Sequence, residues 1–179
     1  MPGEMVPLHI FEPRYRQLLE DAEKRDIEFG IFYNHTDNEQ KLGSLVKLES
    51  VIKRYPGGES DIIVKCFDIF TMSTLLRTFK DKLYPGGEVE RWAVDLKKPA
   101  PGKLQKEFET YLKLLLISRP EGITSLYHIA NELSLDNQDR LKFVTRDENK
   151  KEAFLFSRLR YQSTLVKEAE KNKDVFHLN

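Results

Sequence analysis

The spacing of apolar and polar positions changes once along the chain, near the segment LKKPAPGK at residues 96–103. Before this segment, short runs rich in Val, Ile, Phe and Thr are separated by glycine-containing turns, which is typical of β-strands. After it, apolar residues recur every three or four positions, which is typical of amphipathic helices. We therefore predict an α+β chain with a sheet subdomain over residues 1–98 and a helical subdomain over residues 99–179.

The first half predicts four strands after an extended N-terminal stretch, at residues 29–34, 42–55, 60–77 and 88–96. The sequence YPGGE occurs twice, at residues 55–59 and 84–88. In both copies Pro favours the second position of a turn and the next Gly accepts positive φ, so both are predicted to be reversals between strands. Neither copy is followed by the Lys and Ser or Thr of a P-loop, which disfavours a phosphate site.

The second half predicts three or four helices, of which the last is long. The first ends by Pro120, Asp136 caps a later one, and the last runs from about residue 149 to residue 171. Their apolar stripes have the spacing of a packed core rather than of a cofactor site. These stripes are Leu104, Phe108, Tyr111, Leu112 and Leu115, then Leu126, Ile129, Ala130 and Leu133, then Leu141 and Val144, and finally Phe154, Leu155, Leu159, Leu165 and Val166.

The stretch PLHIFEPRYRQLLEDA, residues 7–22, joins an extended apolar segment to a helix through a proline corner. Pro13 suits the first turn of a helix, where its missing N–H is not needed, and it moves Glu12 out of the α region. Apolar residues then follow at helical spacing. The stretch therefore predicts a strand, a sharp corner and one helix over about residues 13–25.

Side chains around this corner are predicted to stabilise the fold. Glu12 and Arg14 could brace the corner as an ion pair, and Phe11 and Tyr15 are predicted to lie against the sheet. His9 is interpreted as structural, because no second ligand or carboxylate lies near it at a recognisable spacing. The predicted structural motif as a whole is Pro7, Leu8, Glu12, Pro13, Arg14 and Tyr15.

The amino-acid composition disfavours several classes of function. The chain has 179 residues, of which 40% are apolar, and Lys plus Arg and Asp plus Glu each total 29, so no global charge attracts nucleic acid or acidic membrane. The single cysteine, Cys66, cannot form an internal disulfide. No signal-peptide pattern or membrane-length apolar run occurs, and we expect a cytoplasmic protein with no membrane partner.

Residues with catalytic or metal-binding chemistry form no pattern. Ser118 and Ser163 lack the glycine-framed elbow of a nucleophilic serine. Charged residues make up 32% of the chain, so neighbouring carboxylates are expected on solvated faces. The histidines show no metal-ligand spacing and stand at His9, His35, His128 and His177. We expect no catalytic residue, no metal and no cofactor.

The segment PGEMVPLHIFEPRYRQLLEDA, residues 2–22, resembles the signature of the Lon N-terminal, or Lon substrate-binding, domain family. Later segments resemble the family in the same order: FGIFY, LGSLVKLE, SDIIVKCFDIF, YPGGEVE and ENKKEAFLFSRLRYQSTLVKEA. The resemblance implies a PUA-like, partly open β-barrel followed by a C-terminal helical bundle. It also implies recognition of protein substrates rather than catalysis, since this sequence has no GxxxxGK[ST] loop and no room for the ATPase and protease domains of full Lon proteases.

The resemblance implies unfolded or degron-bearing proteins as partners, with a separate protease to receive them. An extended peptide would lie in a groove between barrel and helices or along an exposed strand edge. Because strand side chains alternate between faces, one of Phe32 and Tyr33 should be core and the other available. The candidate peptide-binding residues are His9, Phe11, Phe32 and Tyr33.

Two further expectations accompany this interpretation. RNA binding is the alternative function, because PUA-like barrels often bind RNA and the pairs Lys97 with Lys98 and Lys150 with Lys151 could contact phosphates. The family pattern also has a strand before Pro2, so we expect an open sheet edge that supports self-association or capture of an added strand. The other explanation is that the natural protein carries that strand upstream of Met1.

Overall fold

A computed structural model describes residues 1–118 and 122–176, and the chain forms two compact units. The first unit spans Met1–Asp95, and the second begins at Leu96. Strands precede helices along the chain, apart from one helix in the first unit, which confirms the predicted α+β class. Among the described helices, none combines the length and the apolar character needed to cross a membrane.

The first unit is an open, entirely antiparallel sheet with one helix. The hydrogen-bonded order is β1-β4-β3-β2, and β5 pairs with the later part of β4. The strand predicted at residues 88–96 instead begins two residues earlier and ends at Arg91. The elements are β1 (Met5–Ile10), α1 (Pro13–Arg25), β2 (Glu28–Phe32), β3 (Leu42–Arg54), β4 (Ser60–Leu76) and β5 (Gly86–Arg91).

Strand alternation builds the core of this unit. Every second residue of β1 is turned inward, whereas the residues between them are exposed. Along β4 the same alternation buries Ile62, Val64 and Cys66 completely or almost so. Leu19 of α1 and Val46 of β3 complete the buried cluster, against which β1 packs Val6, Leu8 and Ile10.

The first YPGGE copy forms the predicted reversal, between β3 and β4, but with a different glycine at positive φ. The N–H of Gly58 donates to the carbonyl of Tyr55 at 2.9 Å, and the N–H of Tyr55 donates to the carbonyl of Glu59 at 2.9 Å. Positive φ falls on Gly58, at +92°, and not on Gly57 as predicted. A three-residue hairpin loop explains the difference, because its left-handed residue follows the Pro-Gly turn.

The second YPGGE copy is not a reversal, so that prediction is wrong. Gly86 and Gly87 belong to β5 and pair with Leu76 and Leu75, and neither has positive φ. A Cβ on Gly87 would collide with the backbone carbonyl of Thr74. These glycines are therefore explained by close backbone approach within a strand pair rather than by turn geometry.

A buried carboxylate ties the segment between β4 and β5 to α1. Asp21 is 6% exposed, and it accepts hydrogen bonds from the Tyr84 hydroxyl at 2.8 Å and from Lys82 Nζ at 3.1 Å. Hydrogen bonds from Lys82 and Tyr84 lower the pKa of Asp21. Burial, reinforced by the Asp21 hydrogen bond, raises the pKa of Tyr84 to about 12.

Within residues 96–118 and 122–176, the second unit contains four helices. Ser125 and Asp136 cap the N-termini of two of them, because their side chains accept the backbone N–H of His128 and Asp139. The predicted inward face of the last helix is correct for Leu155 and Leu159, which are fully buried. The helices are α2 (Gly102–Leu114), α3 (Leu126–Glu132), α4 (Asn137–Val144) and α5 (Glu148–Phe176).

The prediction that Leu165 faces inward is wrong, because its side chain is 45% exposed. Its neighbour Val166 is half-buried. The predicted helix end at Pro120 lies outside the described residues, and α2 already ends at Leu114.

Candidate functional site

The outward face of β1 exposes apolar side chains. Met5 is 60% exposed, Pro7 and His9 are also exposed, and the intervening residues pack on the core. Phe11, just beyond the end of the strand, is 55% exposed, so the prediction that it lies against the sheet is wrong. The extended backbone at Glu12, with ψ 136°, leads the chain out of the sheet, and Phe11 stacks on His9 instead, with ring centroids 6.0 Å apart.

His9 lies in a hydrogen-bonded cluster with Asp61 of β4 and Tyr55 of the hairpin between β3 and β4. Its Nδ1 is 2.6 Å from Asp61 Oδ1, and the Tyr55 hydroxyl donates to Asp61 Oδ2 at 2.6 Å. The rings of His9 and Tyr55 meet edge to face at 5.8 Å. We call His9, Phe11 and Tyr55 the aromatic corner.

The carboxylate partner of His9 corrects the sequence analysis, which found none. Asp61 pairs with His9 across the β1–β4 ladder, 52 residues along the chain, so local spacing cannot reveal it. Hydrogen bonds from Tyr55 and His9 lower the pKa of Asp61. The same Asp61 hydrogen bond, together with burial, raises the pKa of Tyr55.

Arg16 holds the corner to the hairpin between β3 and β4, and sequence reasoning missed it. Its Nε donates to the carbonyl of Phe11 at 2.8 Å, and its Nη1 donates to the carbonyl of Gly57 at 2.7 Å. Its Nη2 pairs with Glu59 Oε1 at 3.0 Å. The hairpin partners are more than 40 residues away, so the only available signal was an Arg beside a conspicuous corner motif.

The neighbouring motif residues act locally. The predicted ion pair between Arg14 and Glu12 is confirmed, with Nη2 and Oε2 2.8 Å apart. The Arg14 guanidinium also lies 4.6 Å from the ring centroid of Tyr15, which is half-buried. Pro13 begins α1 as predicted, and Pro7 stands on an edge strand, where a missing N–H is tolerated.

The backbone of β1 faces outward at the same residues as the exposed side chains. The N–H of Cys66 donates to the carbonyl of Glu4, so antiparallel alternation directs the N–H and C=O groups of Val6 and Leu8 toward β4. The alternation points those of Met5 and His9 away from the sheet, together with the carbonyl of Pro7. The β1 edge thus offers two N–H donors and three carbonyl acceptors.

Phe32 and Tyr33 do not join this surface. They lie at the end of β2, which is at the opposite end of the strand order from β1. Both are half-buried, so the prediction of one core and one available ring is wrong. Tyr33 stacks on His35 with centroids 5.4 Å apart. The structure therefore brings His9 and Phe11 together and leaves the other two candidates on a separate edge.

The aromatic corner and the outward face of β1 expose polar and apolar groups side by side. Within residues 1–118 and 122–176, no group of three or more His, Cys, Asp or Glu side chains has the arrangement of a metal site. The exposed groups are aromatic and apolar side chains, an imidazole held by a carboxylate, and outward backbone donors and acceptors. Such groups bind an extended polypeptide through ladder hydrogen bonds and side-chain contacts.

Comparisons with known proteins agree with this architecture. The family model described as the ATP-dependent protease La (LON) substrate-binding domain matches residues 1–174. A crystal structure of a Lon N-terminal domain protein from Xanthomonas campestris is 20% identical, with 90% of this chain and 89% of that chain covered and a TM-score of 0.62. The N-terminal domain of Mycobacterium avium complex Lon protease is 16% identical, with 89% and 91% covered and a TM-score of 0.54. The search of curated proteins finds no match.

Proposed function

Because the chain belongs to the family of Lon substrate-binding domains, we propose that it is a non-catalytic recognition module that binds extended segments of unfolded proteins along the β1 edge. The observation that carries this placement is the coincidence of outward backbone groups with exposed apolar side chains on β1. Met5 and Phe11 are 60% and 55% exposed at the two ends of that edge. A folded substrate hides its own strand edges, whereas an unfolded segment can supply both hydrogen bonds and side chains.

The interactions available at this edge suit moderate, exchangeable binding. Each ladder hydrogen bond contributes about 1 kcal/mol net, because the peptide and the edge both give up water. Covering the exposed part of Phe11 contributes about 1 kcal/mol more. Pro7 removes one donor from the middle of the edge, which limits stable pairing between two copies of the chain. Selection among substrates would then come from side chains that fit beside Phe11 and Met5.

The same proposal extends to the fate of the bound segment. A substrate held at β1 would be cut by a separate protease, because the sequence contains no P-loop or nucleophile pattern. We propose that self-association through the β1 edge, which Pro7 weakens, competes with substrate and is therefore suppressed when substrate is bound.

Contacts of the lysines named for RNA binding give that alternative no support. Lys98 pairs with Glu148 at 2.5 Å, and Lys150 pairs with Asp147 at 2.9 Å. Lys151 is half-buried, with its Nζ 5.2 Å from the ring centroid of Tyr127. Lys98 is matched by a carboxylate and Lys151 lies against an aromatic ring, so the named lysines do not form a continuous array along which a phosphate backbone could lie.

The test is a fluorescence anisotropy titration with an uncharged, labelled peptide that alternates Phe or Leu with Ser. Phe11→Ser should weaken binding about tenfold, whereas Tyr33→Ser and Phe32→Ser should bind like the parent. Circular dichroism melts establish that each variant is folded. If Phe11→Ser binds like the parent, the β1 site is wrong, and a loss confined to Tyr33→Ser or Phe32→Ser would move the site to β2.

A further inference from the structure

The second unit contains a basic groove between α4 and the first turns of α5. The groove is open and has a volume of about 630 Å³. Four of its lining side chains are cationic and only one is acidic. We define the basic groove by its lining residues, which are Asp139, Lys142, Arg146, Lys150, Ala153, Phe154, Ser157 and Arg158.

The single carboxylate of the basic groove is already neutralised. Asp139 is 7% exposed, and it forms an ion pair with Arg158 and lies 3.9 Å from Lys142 Nζ. Lys150 pairs with Asp147 at 2.9 Å, but both side chains are more than 70% exposed, so water screens the pair and a ligand can replace it. Even with Asp147 counted, the groove keeps a surplus of two positive charges.

Arg146 is the cation best placed to bind a ligand. Within the described residues its guanidinium has no carboxylate partner, and it lies 4.7 Å from the ring centroid of Phe154. The guanidinium of Arg158 lies 5.4 Å from the same centroid. Phe154 is 9% exposed and therefore restricts the two planar groups. Fixed guanidinium forks bind carboxylates in bidentate fashion at a low entropic cost.

We propose that the basic groove binds acidic segments of polypeptide, with carboxylates of neighbouring Asp or Glu residues on Arg146, Lys142 and Lys150. The volume lies within the range of about 300 to 1,000 Å³ typical of ligand pockets, so it accommodates a few side chains. A long polyanion is a poorer match, because the chain has no net charge to attract it and Phe154 is too buried to stack on a base. The inference rests on the proposed recognition of polypeptide, and it gives the second unit its own ligand class.

The experiment uses the full chain and a short labelled Gly/Ser peptide that carries a run of Glu, with its Gln counterpart as probe control. Arg146→Gln should weaken binding of the Glu peptide at least about fivefold. The matched control is Arg160→Gln, since the Arg160 guanidinium also lies over an aromatic ring, that of Phe156 at 6.0 Å, but stands on α5 outside the lining of the groove. It should bind like the parent. Added salt should weaken the parent and bring it closer to Arg146→Gln.

Several results would overturn the proposal. They are equal binding of the Glu and Gln peptides, equal effects of Arg146→Gln and Arg160→Gln, or tighter binding of a single-stranded oligonucleotide that Arg146→Gln abolishes. If Arg146→Gln fails to fold, the exposed pair Lys142→Gln with Lys150→Gln takes its place, with the same expected loss. Failure of the β1 proposal shows instead with the uncharged peptide and Phe11→Ser, so the two outcomes are distinguishable.

Discussion

Replacement of Arg16 by Ala tests whether the corner motif is held together by this one side chain. Arg16→Ala removes two hydrogen bonds to the carbonyls of Phe11 and Gly57 and one ion pair to Glu59. Each bond contributes about 1 kcal/mol net, but the Arg16 and Glu59 side chains are both 32% exposed, so water replaces part of the loss. We expect the free energy of unfolding to fall by about 2 kcal/mol.

Arg14→Ala is the matched control for this loss. Arg14 is two residues away and also forms an ion pair, but its side chain is 46% exposed and its partner Glu12 lies within the same corner. Its removal should cost about 0.5 kcal/mol or less. The double variant Arg16→Ala with Glu59→Gln should show a coupling energy of about 0.5 to 1 kcal/mol with the single variants.

Urea denaturation followed by tryptophan fluorescence measures these differences. The chain has one tryptophan, Trp92, whose Nε1 donates to Thr71 Oγ1 at 2.9 Å, so the signal reports on the first unit. A loss of 2 kcal/mol also corresponds to a decrease of about 4 to 8 °C in Tm. If Arg16→Ala and Arg14→Ala lose equal amounts, the long-range tie to the hairpin does not stabilise the corner and the reasoning fails.

Three further variants probe the same unit, all followed by Trp92 fluorescence. Gly58→Ala should lower the free energy of unfolding by about 1 to 3 kcal/mol, since φ is +92° there and a Cβ would lie 2.6 Å from Arg16 Nη1. Gly57→Ala is the control, because its added Cβ meets only the flexible Glu59 carboxylate. Equal losses for the two variants would contradict the assigned turn. Tyr15→Ala should lower the free energy of unfolding by about 1 to 2 kcal/mol, which is less than for a fully buried aromatic residue, because Tyr15 is half-buried. A loss above about 3 kcal/mol would mean that Tyr15 belongs to the core. Because the folded pKa of Asp21 is lowered, its stabilisation is complete above its ordinary pKa of 3.8 and is lost as pH falls through the lower folded pKa. In Asp21→Asn the free energy of unfolding should therefore decrease less between neutral and acidic pH than it does in the parent. Parallel curves of unfolding free energy against pH for parent and variant would refute this role of Asp21.

Helices and strands whose ends are marked by characteristic residues could be predicted from local chemistry. Pro13 marks the start of α1 because it fits the first helical turn and forces the preceding residue out of the α region, as Glu12 shows. Asp136 caps α4 for a similarly local reason. The alternation along β4 identifies its buried face, since neighbouring residues must point to opposite sides.

Contacts that depend on strand register could not be predicted. The partner of His9, Asp61, is set by how β1 aligns with β4, and a shift by one residue would turn His9 to the other face. Asp68 is a second case, because its buried carboxylate accepts the N–H groups of Ala93 and Val94, about 25 residues away. Sequence periodicity indicates on which face of the sheet a side chain lies, but it does not indicate which residue lies beside it on the adjoining strand.

Two predictions were wrong because they were made from the type of residue alone, without its position in a strand. Phe11 lies beyond the last ladder pair of β1, so no neighbouring strand covers it. The glycines of the second YPGGE copy have the composition of a turn, but the reversal is made earlier, where the N–H of Lys82 donates to the carbonyl of Phe79. In both cases, where the residue lies relative to the end of a strand determines whether it is buried or forms a turn.

The most direct test of the central claim is residue-resolved amide exchange of the parent chain with and without the uncharged extended peptide. Binding along the β1 edge should slow exchange of the outward amides of Met5 and His9 about tenfold or more, since these N–H groups then donate to the peptide. Pro7 has no amide, and Gly30 on β2, whose N–H points away from β3 by the same alternation, serves as the reference for the other edge. Protection at Met5 and His9 without change at Gly30 is the predicted result, and protection confined to β2 or absent from β1 at saturating peptide would contradict the account.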